Sequence, residues 1–166
     1  MSKITNVKLP KESISMQFIG EIDYVDAFKV KLSDNTQKVD SLYMAIFNHV
    51  PKWVNVLMGL RNKIVGVFGL DTGDGSKQKE IKSLTVGDKH GVFKIFDIQP
   101  NEIIAGEDDK HLDFRVSVLK NDDYLILSTL VHYNSGFGKV YFFIIKPFHK
   151  VVVKVMMRNA LKTKRI

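Results

Sequence analysis

Hydrophobic and polar positions in the final quarter of the chain follow the period of one long helix. Val, Ile, Phe and Met occupy most of the circumference of residues 136–162, and cations share one narrow stripe at about 100° per residue. This stripe consists of Lys139, Lys146, Lys150 and Lys154, continued by Arg158 and Lys162. A helix with so narrow a polar stripe needs cover over most of its surface. We therefore expect a helix about 40 Å long that is wrapped by a curved sheet.

Alternating patterns upstream predict the strands of that sheet. Residues 24–32 alternate between apolar and polar positions, except that Asp26 falls on the apolar face. Such a carboxylate is either near the strand end and wet, or it faces a cavity. Further strands at hairpin spacing are predicted at residues 81–86, 91–99, 102–108, 111–120 and 124–134. The last of them is apolar on both faces until His132, as expected of a central strand.

Two short helices are predicted between the first strand and the others. The first runs from an N-cap at Asp40 or Ser41 to about Asn48. The second covers residues 52–68, where apolar side chains recur every three or four positions, and Gly69 is its predicted C-cap.

The remaining segments complete the predicted architecture. Residues 1–20 show no strong period and are expected to form an irregular arm or a first irregular strand. The loop at residues 70–77 matches no EF-hand, phosphate loop or dinucleotide fingerprint, so it is interpreted as a turn.

The order of strand, two helices, antiparallel meander and terminal helix predicts one α+β domain over residues 1–166 with the helix-grip fold. In this fold a curved antiparallel sheet grips the last helix, often with an apolar cavity between them.

Composition narrows the class of protein. Of the 166 residues, 45% are hydrophobic and 26% are charged, an ordinary balance for a soluble globular domain. The chain has no cysteine, which excludes disulfides and thiolate metal sites. The first residues lack the apolar core of a signal peptide, and no apolar run approaches the length of a membrane span. We expect a cytoplasmic protein.

The net charge of +7 is concentrated in the terminal segment. Residues 124–166 hold eight Lys/Arg and no Asp or Glu, whereas residues 1–123 hold 17 Lys/Arg against 18 Asp/Glu. The favoured interpretation is a solvated helix face, because the apolar residues that would insert into lipid are those that the sheet needs to bury. Binding to anionic vesicles is then expected to vanish near 0.15 M salt, where screening acts over about 8 Å.

Two stretches of the chain carry specific motifs, GEDDKHLDFRVS at residues 106–117 and KPFH at residues 146–149. Together with shorter matches at 23–28, 51–54, 60–62 and 68–70, they resemble a bacterial family catalogued only as a domain of unknown function (DUF 2867). The resemblance runs from about residue 20 to residue 162. It implies a layout like that of the lipid-transfer and polyketide-cyclase superfamily, in agreement with the helix-grip prediction. It implies no known activity.

Polar residues cluster at the turn between the predicted 102–108 and 111–120 strands. Alternation places His111, Asp113 and Arg115 on one strand face, with Asp108 in or beside the turn. Oxygen and nitrogen ligands of this kind are also used in metal sites, but we expect no metal and no other cofactor. These four residues are expected to line the cavity. The alternative is a solvated hairpin, with an Asp113–Arg115 pair worth well under ~1 kcal/mol.

Histidines and carboxylates are the candidates for acid–base chemistry, because imidazole side chains titrate near neutral pH. Asp26, Asp113 and His132 are the residues that would transfer protons in a cyclase- or isomerase-like enzyme. His132 and His149 are also expected to line the ligand site. No nucleophile–base–orienter trio and no GxSxG elbow is visible, so covalent acyl transfer has no support in the sequence.

The second predicted helix and the terminal helix supply further candidates. Trp53 and Arg61 project from the second helix, which is the usual lid over the cavity mouth in this fold. Trp53 is most simply a core anchor, while Arg61 is suited to an anionic head group. Pro147 removes one backbone donor from the terminal helix and is expected to kink it near residues 143–146.

These patterns favour non-catalytic binding of a small apolar or amphipathic molecule in a cavity between the sheet and the terminal helix. The alternative is the cyclase- or isomerase-like enzyme. A third hypothesis is peripheral binding to an anionic membrane or a nucleic acid through the basic helix face. Nucleic acid is the least favoured partner, because only Phe143 of the aromatic residues in this helix lies near the lysine stripe.

Overall fold

The computed structural model of the protein describes residues 3–56, 59, 66, 81–90 and 92–166. Its strands are β1 (Thr5–Val7), β2 (Tyr24–Lys31), β3 (Lys89–His90), β4 (Phe93–Ile98), β5 (Glu102–Asp108), β6 (Leu112–Asn121) and β7 (Tyr124–Tyr133). Its helices are α1 (Val39–Phe47) and α2 (Gly136–Lys162), and a 3₁₀ turn covers Ser15–Phe18.

The strands form one antiparallel sheet in the order β1-β2-β7-β6-β5-β4-β3. The sheet is curved and open, and α1 and α2 lie on the same side of it. The predicted α+β class, with a curved antiparallel sheet and a long C-terminal helix, is confirmed, and the layout is consistent with the helix-grip fold. Strand β7 lies between β2 and β6, and residues 125–131 are buried on both of its faces, as predicted for a central strand.

Most predicted strands are found within two residues of their bounds, but the strand predicted at residues 81–86 is wrong. Residues 81–85 have no regular secondary structure, and the short β3 follows a turn at Gly87 instead. The side chain of Asn48 explains the difference, because its Nδ2 donates to the Ile81 carbonyl oxygen at 2.9 Å and its Oδ1 accepts from the Ile81 amide at 2.8 Å. A side-chain amide thus satisfies backbone groups that a strand ladder would have used.

The terminal helix has its predicted bounds, whereas α1 begins earlier than predicted. Lys38 occupies the N-cap position and makes no side-chain cap hydrogen bond. The predicted caps at Asp40 or Ser41 are wrong, because both residues lie inside the first turn, where Asp40 Oδ1 accepts from the Ser41 amide at 2.8 Å. A carboxylate in this first turn complements the helix dipole without being the cap.

The second predicted helix can be compared only in part. Residues 52–56, 59 and 66 are helical, as the 52–68 prediction requires. The other residues of this helix, its predicted C-cap Gly69 and the loop at 70–77 lie outside the described residues.

The main core lies between one face of the sheet, here called the inner face, and the two helices. It contains Phe28 and Val30 of β2, Val118 of β6, Leu125 and Leu127 of β7, Leu42, Tyr43 and Ile46 of α1, and Met156, Met157 and Ala160 of α2. These side chains alternate along each strand with residues of the opposite, outer face. The core therefore joins the sheet to α1 and to the C-terminal half of α2.

The first turn of α2 is held against the turn that precedes β6. The Ser135 hydroxyl is the N-cap; its Oγ accepts from the Gly138 amide at 3.1 Å and lies 2.9 Å from Nδ1 of His111. A Cβ added at Gly138 would lie 2.0 Å from the His111 carbonyl oxygen, which is a severe overlap. Only glycine allows helix and turn to approach this closely, so this contact fixes where α2 enters the fold.

The two halves of α2 are covered to different extents. Val153, Met156 and Met157 in the C-terminal half are buried. In the N-terminal half and just beyond it, large apolar side chains remain 52–78% exposed, namely Val140, Phe143, Ile144, Phe148 and Val151. The expectation that the sheet buries the apolar residues of this helix is therefore wrong for its N-terminal half. Across the described residues, none of the helices has both the length and the apolar character needed to cross a membrane.

The N-terminal arm is fastened to the outer face of the sheet by a buried carboxylate. Glu102 is 3% exposed and accepts hydrogen bonds from Ser13 Oγ at 2.5 Å, the Ile14 amide at 2.9 Å and Ser117 Oγ at 2.5 Å. Burial of a charge is tolerated only when its oxygens are satisfied in this way. The arm therefore has defined structure: β1 pairs with β2, and the 3₁₀ turn follows the Glu102 contacts.

Gly138→Ala should lower the free energy of unfolding by more than about 2 kcal/mol, because the added methyl group overlaps a backbone carbonyl that cannot move away easily. Gly136→Ala is the matched control, since a Cβ there meets nothing within 4 Å and the expected change is less than about 1 kcal/mol. Urea unfolding followed by circular dichroism measures both. Equal effects of the two substitutions would contradict the close approach.

Candidate functional site

A polar cluster lies where the inner face of the sheet meets the N-terminal half of α2, at what we call the sheet–helix junction. The junction consists of Tyr24 and Asp26 on β2, Tyr133 on β7, and Phe142, Lys146 and His149 on α2. Asp26 is 7% exposed and faces α2. Its place on the apolar side of the strand, noted in the sequence, thus corresponds to a buried carboxylate.

Tyr24 and Asp26 are paired within one strand. They are two residues apart and therefore share a face of β2, and the Tyr24 hydroxyl donates to Asp26 Oδ2 at 2.6 Å. Burial, followed by the hydrogen bond and the charge of Asp26, raises the pKa of Tyr24 well above its ordinary value. Tyr24 therefore remains a neutral hydrogen-bond donor at physiological pH.

His149 reaches the same carboxylate from the helix. Its Nε2 lies 3.5 Å from Asp26 Oδ2. Neither this Nε2 nor Asp26 Oδ1 has a hydrogen-bond partner among the described residues, although both atoms are buried. An unsatisfied buried polar group costs about 1–3 kcal/mol. The junction therefore holds one acceptor and one ring nitrogen that can bind a further polar group.

Aromatic rings surround this polar centre. The ring of Phe142 lies 4.8 Å from that of Tyr24, 5.8 Å from that of Tyr133 and 6.3 Å from that of His149, measured between centroids. Lys146 Nζ lies 4.8 Å from the centroid of the Tyr24 ring, a distance typical of cation–π contact. The junction therefore combines an apolar wall with a few placed polar groups.

An open depression of about 550 Å³ adjoins the junction through Tyr133. Its lining consists of Asp23, Tyr133, Asn134, Ser135, Gly136 and Lys139. Burial, followed by the charge of Asp23, raises the pKa of Tyr133. Another open depression, of about 790 Å³, lies beside the N-terminal arm, where Ile14, Glu102 and Asn121 contribute to its lining. Only the first of these two depressions includes a junction residue.

Two of the predicted ligand residues of the β5–β6 hairpin, Arg115 and Asp108, bind one another. Arg115 is 4% exposed; its Nη1 donates to the carbonyl oxygens of Glu107 at 3.2 Å and Phe114 at 2.8 Å, and its Nη2 donates to Asp108 Oδ1 at 2.5 Å. Its guanidinium also stacks 3.7 Å from the centroid of the Phe96 ring. Arg115 lies on the outer face, opposite to the junction.

Asp113 and His111 hold the two ends of the hairpin turn. Asp113 Oδ1 accepts from the Asp109 amide at 3.1 Å and from Asn134 Nδ2 at 2.8 Å. His111 contacts the Ser135 hydroxyl that caps α2. These contacts join the hairpin to the segment that leads into α2. Among the described residues, no group of three or more His, Asp or Glu side chains is arranged to hold a metal ion.

His132 lies on the outer face, directly opposite Asp113 in the β6–β7 pairing. Its Nδ1 is 2.9 Å from Asp23 Oδ2. Of the three residues predicted for proton transfer, Asp26 alone therefore faces α2. The structure brings Asp26 together with His149, and it places Asp113 and His132 on the other side of the sheet.

The two residues predicted on the second helix cannot both be located. Trp53 lies in the helical 52–56 segment and is 44% exposed. Arg61 lies outside the described residues. Tyr24 was missed as a site residue, although its position two residues before Asp26 on the same strand face was a signal that could have identified it. Lys146 was recognised only as a member of the basic stripe.

Asp26→Asn should lower the pKa of Tyr24, because the substitution removes the negative charge that disfavours the phenolate and keeps a hydrogen-bond acceptor in place. NMR titration with ¹³C-labelled tyrosine resolves the five tyrosines individually. Asp23→Asn is the matched control and should lower the pKa of Tyr133 while leaving that of Tyr24 unchanged. An unchanged Tyr24 titration in Asp26→Asn would contradict the pairing.

Comparison with known proteins places the chain in a family. Residues 18–156 match the family model described as "Protein of unknown function (DUF2867)", and this range includes both motifs of the sequence and the whole junction. No curated protein and no solved structure matches the chain significantly. The chain belongs to the DUF2867 family of proteins of unknown function.

Proposed function

We propose that the protein binds a small amphipathic molecule at the sheet–helix junction. The observation that carries this proposal is the pair of buried atoms Asp26 Oδ1 and His149 Nε2, which have no hydrogen-bond partner in the part of the chain that the structure describes. They lie among the rings of Tyr24 and Phe142. Ligand sites in proteins are typically apolar walls with a small number of placed polar groups, and the junction has this composition.

The chemistry of the junction indicates which polar group the ligand carries. An ionised carboxylate only accepts hydrogen bonds, and one oxygen of Asp26 already accepts from Tyr24. Its second oxygen calls for a donor, such as a hydroxyl or an amine. The proposed ligand therefore has a hydrogen-bond donor next to an apolar or aromatic body that packs on Phe142.

The approach of His149 to Asp26 favours proton transfer as a second candidate function. A carboxylate 3.5 Å from an imidazole nitrogen is the arrangement in which an acid–base histidine is oriented by its neighbour. In that reaction Asp26 and His149 would exchange a proton with a bound hydroxyl or an acidic C–H group. Asp113 and His132 have no part in this candidate, since they lie on the outer face.

Asp26→Asn should reduce the amount of small molecule that co-purifies with the protein by at least about tenfold. The expected loss follows from the 1.5–3 kcal/mol that a hydrogen bond to a charged group contributes. Native mass spectrometry of protein purified from cells, followed by solvent extraction, measures the bound fraction and the mass of the ligand. Asp97→Asn makes the same chemical change near the β4–β5 turn, where the Asp97 carboxylate contacts Gln99, and should change nothing.

The possible outcomes separate the two candidates. A wild-type protein without any bound small molecule would overturn the binding proposal. A variant Asp26→Asn that retains more ligand than the wild type would favour proton transfer, because loss of the acid–base group leaves substrate bound and unconverted. Equal retention by the Asp26 and Asp97 variants would exclude Asp26 from the site.

A further inference from the structure

The face of α2 that points away from the sheet carries a continuous row of exposed apolar side chains. This row, called the outer stripe, consists of Val140, Phe143, Ile144, Phe148 and Val151, with exposed fractions of 60, 78, 60, 60 and 52%. Successive members are three or four positions apart, with one single-residue step, so their side chains are neighbours on the helix surface. The stripe extends over about 16 Å of the helix.

The outer stripe is exposed because the opposite side of the helix is used for packing. Phe142 is buried against Leu112 and Val131 of the sheet, and His149 faces Asp26. At about 100° per residue, the centre of the stripe lies nearly opposite to these two side chains. Contiguous exposed apolar surface of this kind is rare on soluble proteins unless it binds a partner or a membrane.

Lysines border one edge of the outer stripe. Lys139, Lys146 and Lys150 lie next to Phe143 on the helical wheel, and Lys154 continues the row. The Lys146 and Lys154 ammonium groups lie 4.8 Å and 5.2 Å from the rings of Tyr24 and Phe28, which places this row on the β2 side of the helix. Residues 124–166 contain no Asp or Glu that would neutralise it.

We infer that α2 docks the protein onto an anionic lipid bilayer, with the outer stripe inserted at the level of the head groups. An amphipathic helix with a basic edge and an aromatic apolar face lies in the membrane interface, its apolar side chains buried about 5–10 Å deep. Lys139 is exposed, and the half-buried Lys146, Lys150 and Lys154 reach lipid phosphates by turning away from the sheet rings that two of them contact, each cation strengthening binding about fivefold. The helix surface would thus recognise the apolar interior of a bilayer together with the negative charge of its head groups.

An anionic bilayer accounts for both the apolar outer stripe and the lysine row beside it, whereas a second copy of the chain or a nucleic acid does not. A second copy of the chain, packed antiparallel and stripe to stripe, would bring two lysine rows together without acidic partners on either helix, which is unfavourable. A nucleic acid would pair with the lysines but would leave Val140, Ile144 and Val151 in water. The outer stripe is separate from the sheet–helix junction, so failure of either proposal leaves the other standing.

Vesicles of phosphatidylcholine with 40% phosphatidylserine should bind the wild-type protein at 0.15 M NaCl in a co-sedimentation assay. Phe143→Ser combined with Phe148→Ser should weaken this binding about 100-fold, because each phenylalanine contributes about tenfold or more through burial. Met16→Ser combined with Val86→Ser is the matched control, since these side chains are 56% and 55% exposed and lie outside α2. Its binding should equal that of the wild type.

The charge requirement is tested with the same assay. Lys150→Glu combined with Lys154→Glu should weaken binding at least about 25-fold, whereas Lys82→Glu combined with Lys110→Glu, outside α2, should have no such effect. Vesicles of phosphatidylcholine alone should bind the wild type more weakly by a similar factor. Circular dichroism and thermal unfolding establish that each variant is folded.

Insertion is tested with a single fluorescent label, which the absence of cysteine from the chain makes simple. An environment-sensitive dye on Ile144→Cys should shift its emission to the blue on vesicle addition, and the same dye on Val25→Cys, on the outer face of the sheet, should not. Loss of all wild-type binding at 0.15 M NaCl, or unchanged binding by the double serine variant of α2, overturns the inference. A stable dimer in solution that the Phe143→Ser, Phe148→Ser variant dissociates would also overturn the inference.

Discussion

The close approach between the first turn of α2 and the turn before β6 determines the rest of the site. Gly138 lies against the His111 carbonyl, and Ser135 caps the helix while it contacts the His111 ring. A side chain larger than hydrogen at position 138 would overlap the His111 carbonyl, so glycine is needed for this close approach. Every later side chain of α2 takes its direction from this point, because the helical period is fixed.

The two motifs of the family serve different purposes in this framework. In the first motif, Arg115 binds Asp108 and a hairpin carbonyl, and Asp113 accepts from the Asp109 amide and Asn134. A buried guanidinium is stable only with such partners, so most polar atoms of these side chains are already used, although Arg115 Nε and His111 Nε2 have no hydrogen-bond partner among the described residues. In the second motif, His149 approaches a carboxylate, and its Nε2 has no hydrogen bond to any described residue. The first motif therefore supports the position of α2, and the second offers chemistry.

The elements were largely predictable from the sequence, whereas the assignment of polar side chains to a site was not. Periodicity gives the bounds of α2 and shows that Asp26 shares a face with apolar residues, because both follow from local spacing. It does not give the pairing of Asp26 with His149, which depends on how a distant helix is oriented. Periodicity also fails where a side-chain amide satisfies backbone groups in place of a neighbouring strand, as Asn48 does at Ile81.

The junction and the outer stripe are consequences of one helix orientation. His149 and Phe148 are consecutive and point about 100° apart, so the rotation that turns the imidazole toward Asp26 turns the phenyl ring toward solvent. A rotation that buried Phe148 would withdraw His149 and leave the Asp26 carboxylate buried with Tyr24 as its remaining close partner. Burial of a poorly paired charge is costly. The Asp26–His149 contact therefore helps to keep the apolar stripe exposed, and the two surfaces cannot be optimised independently.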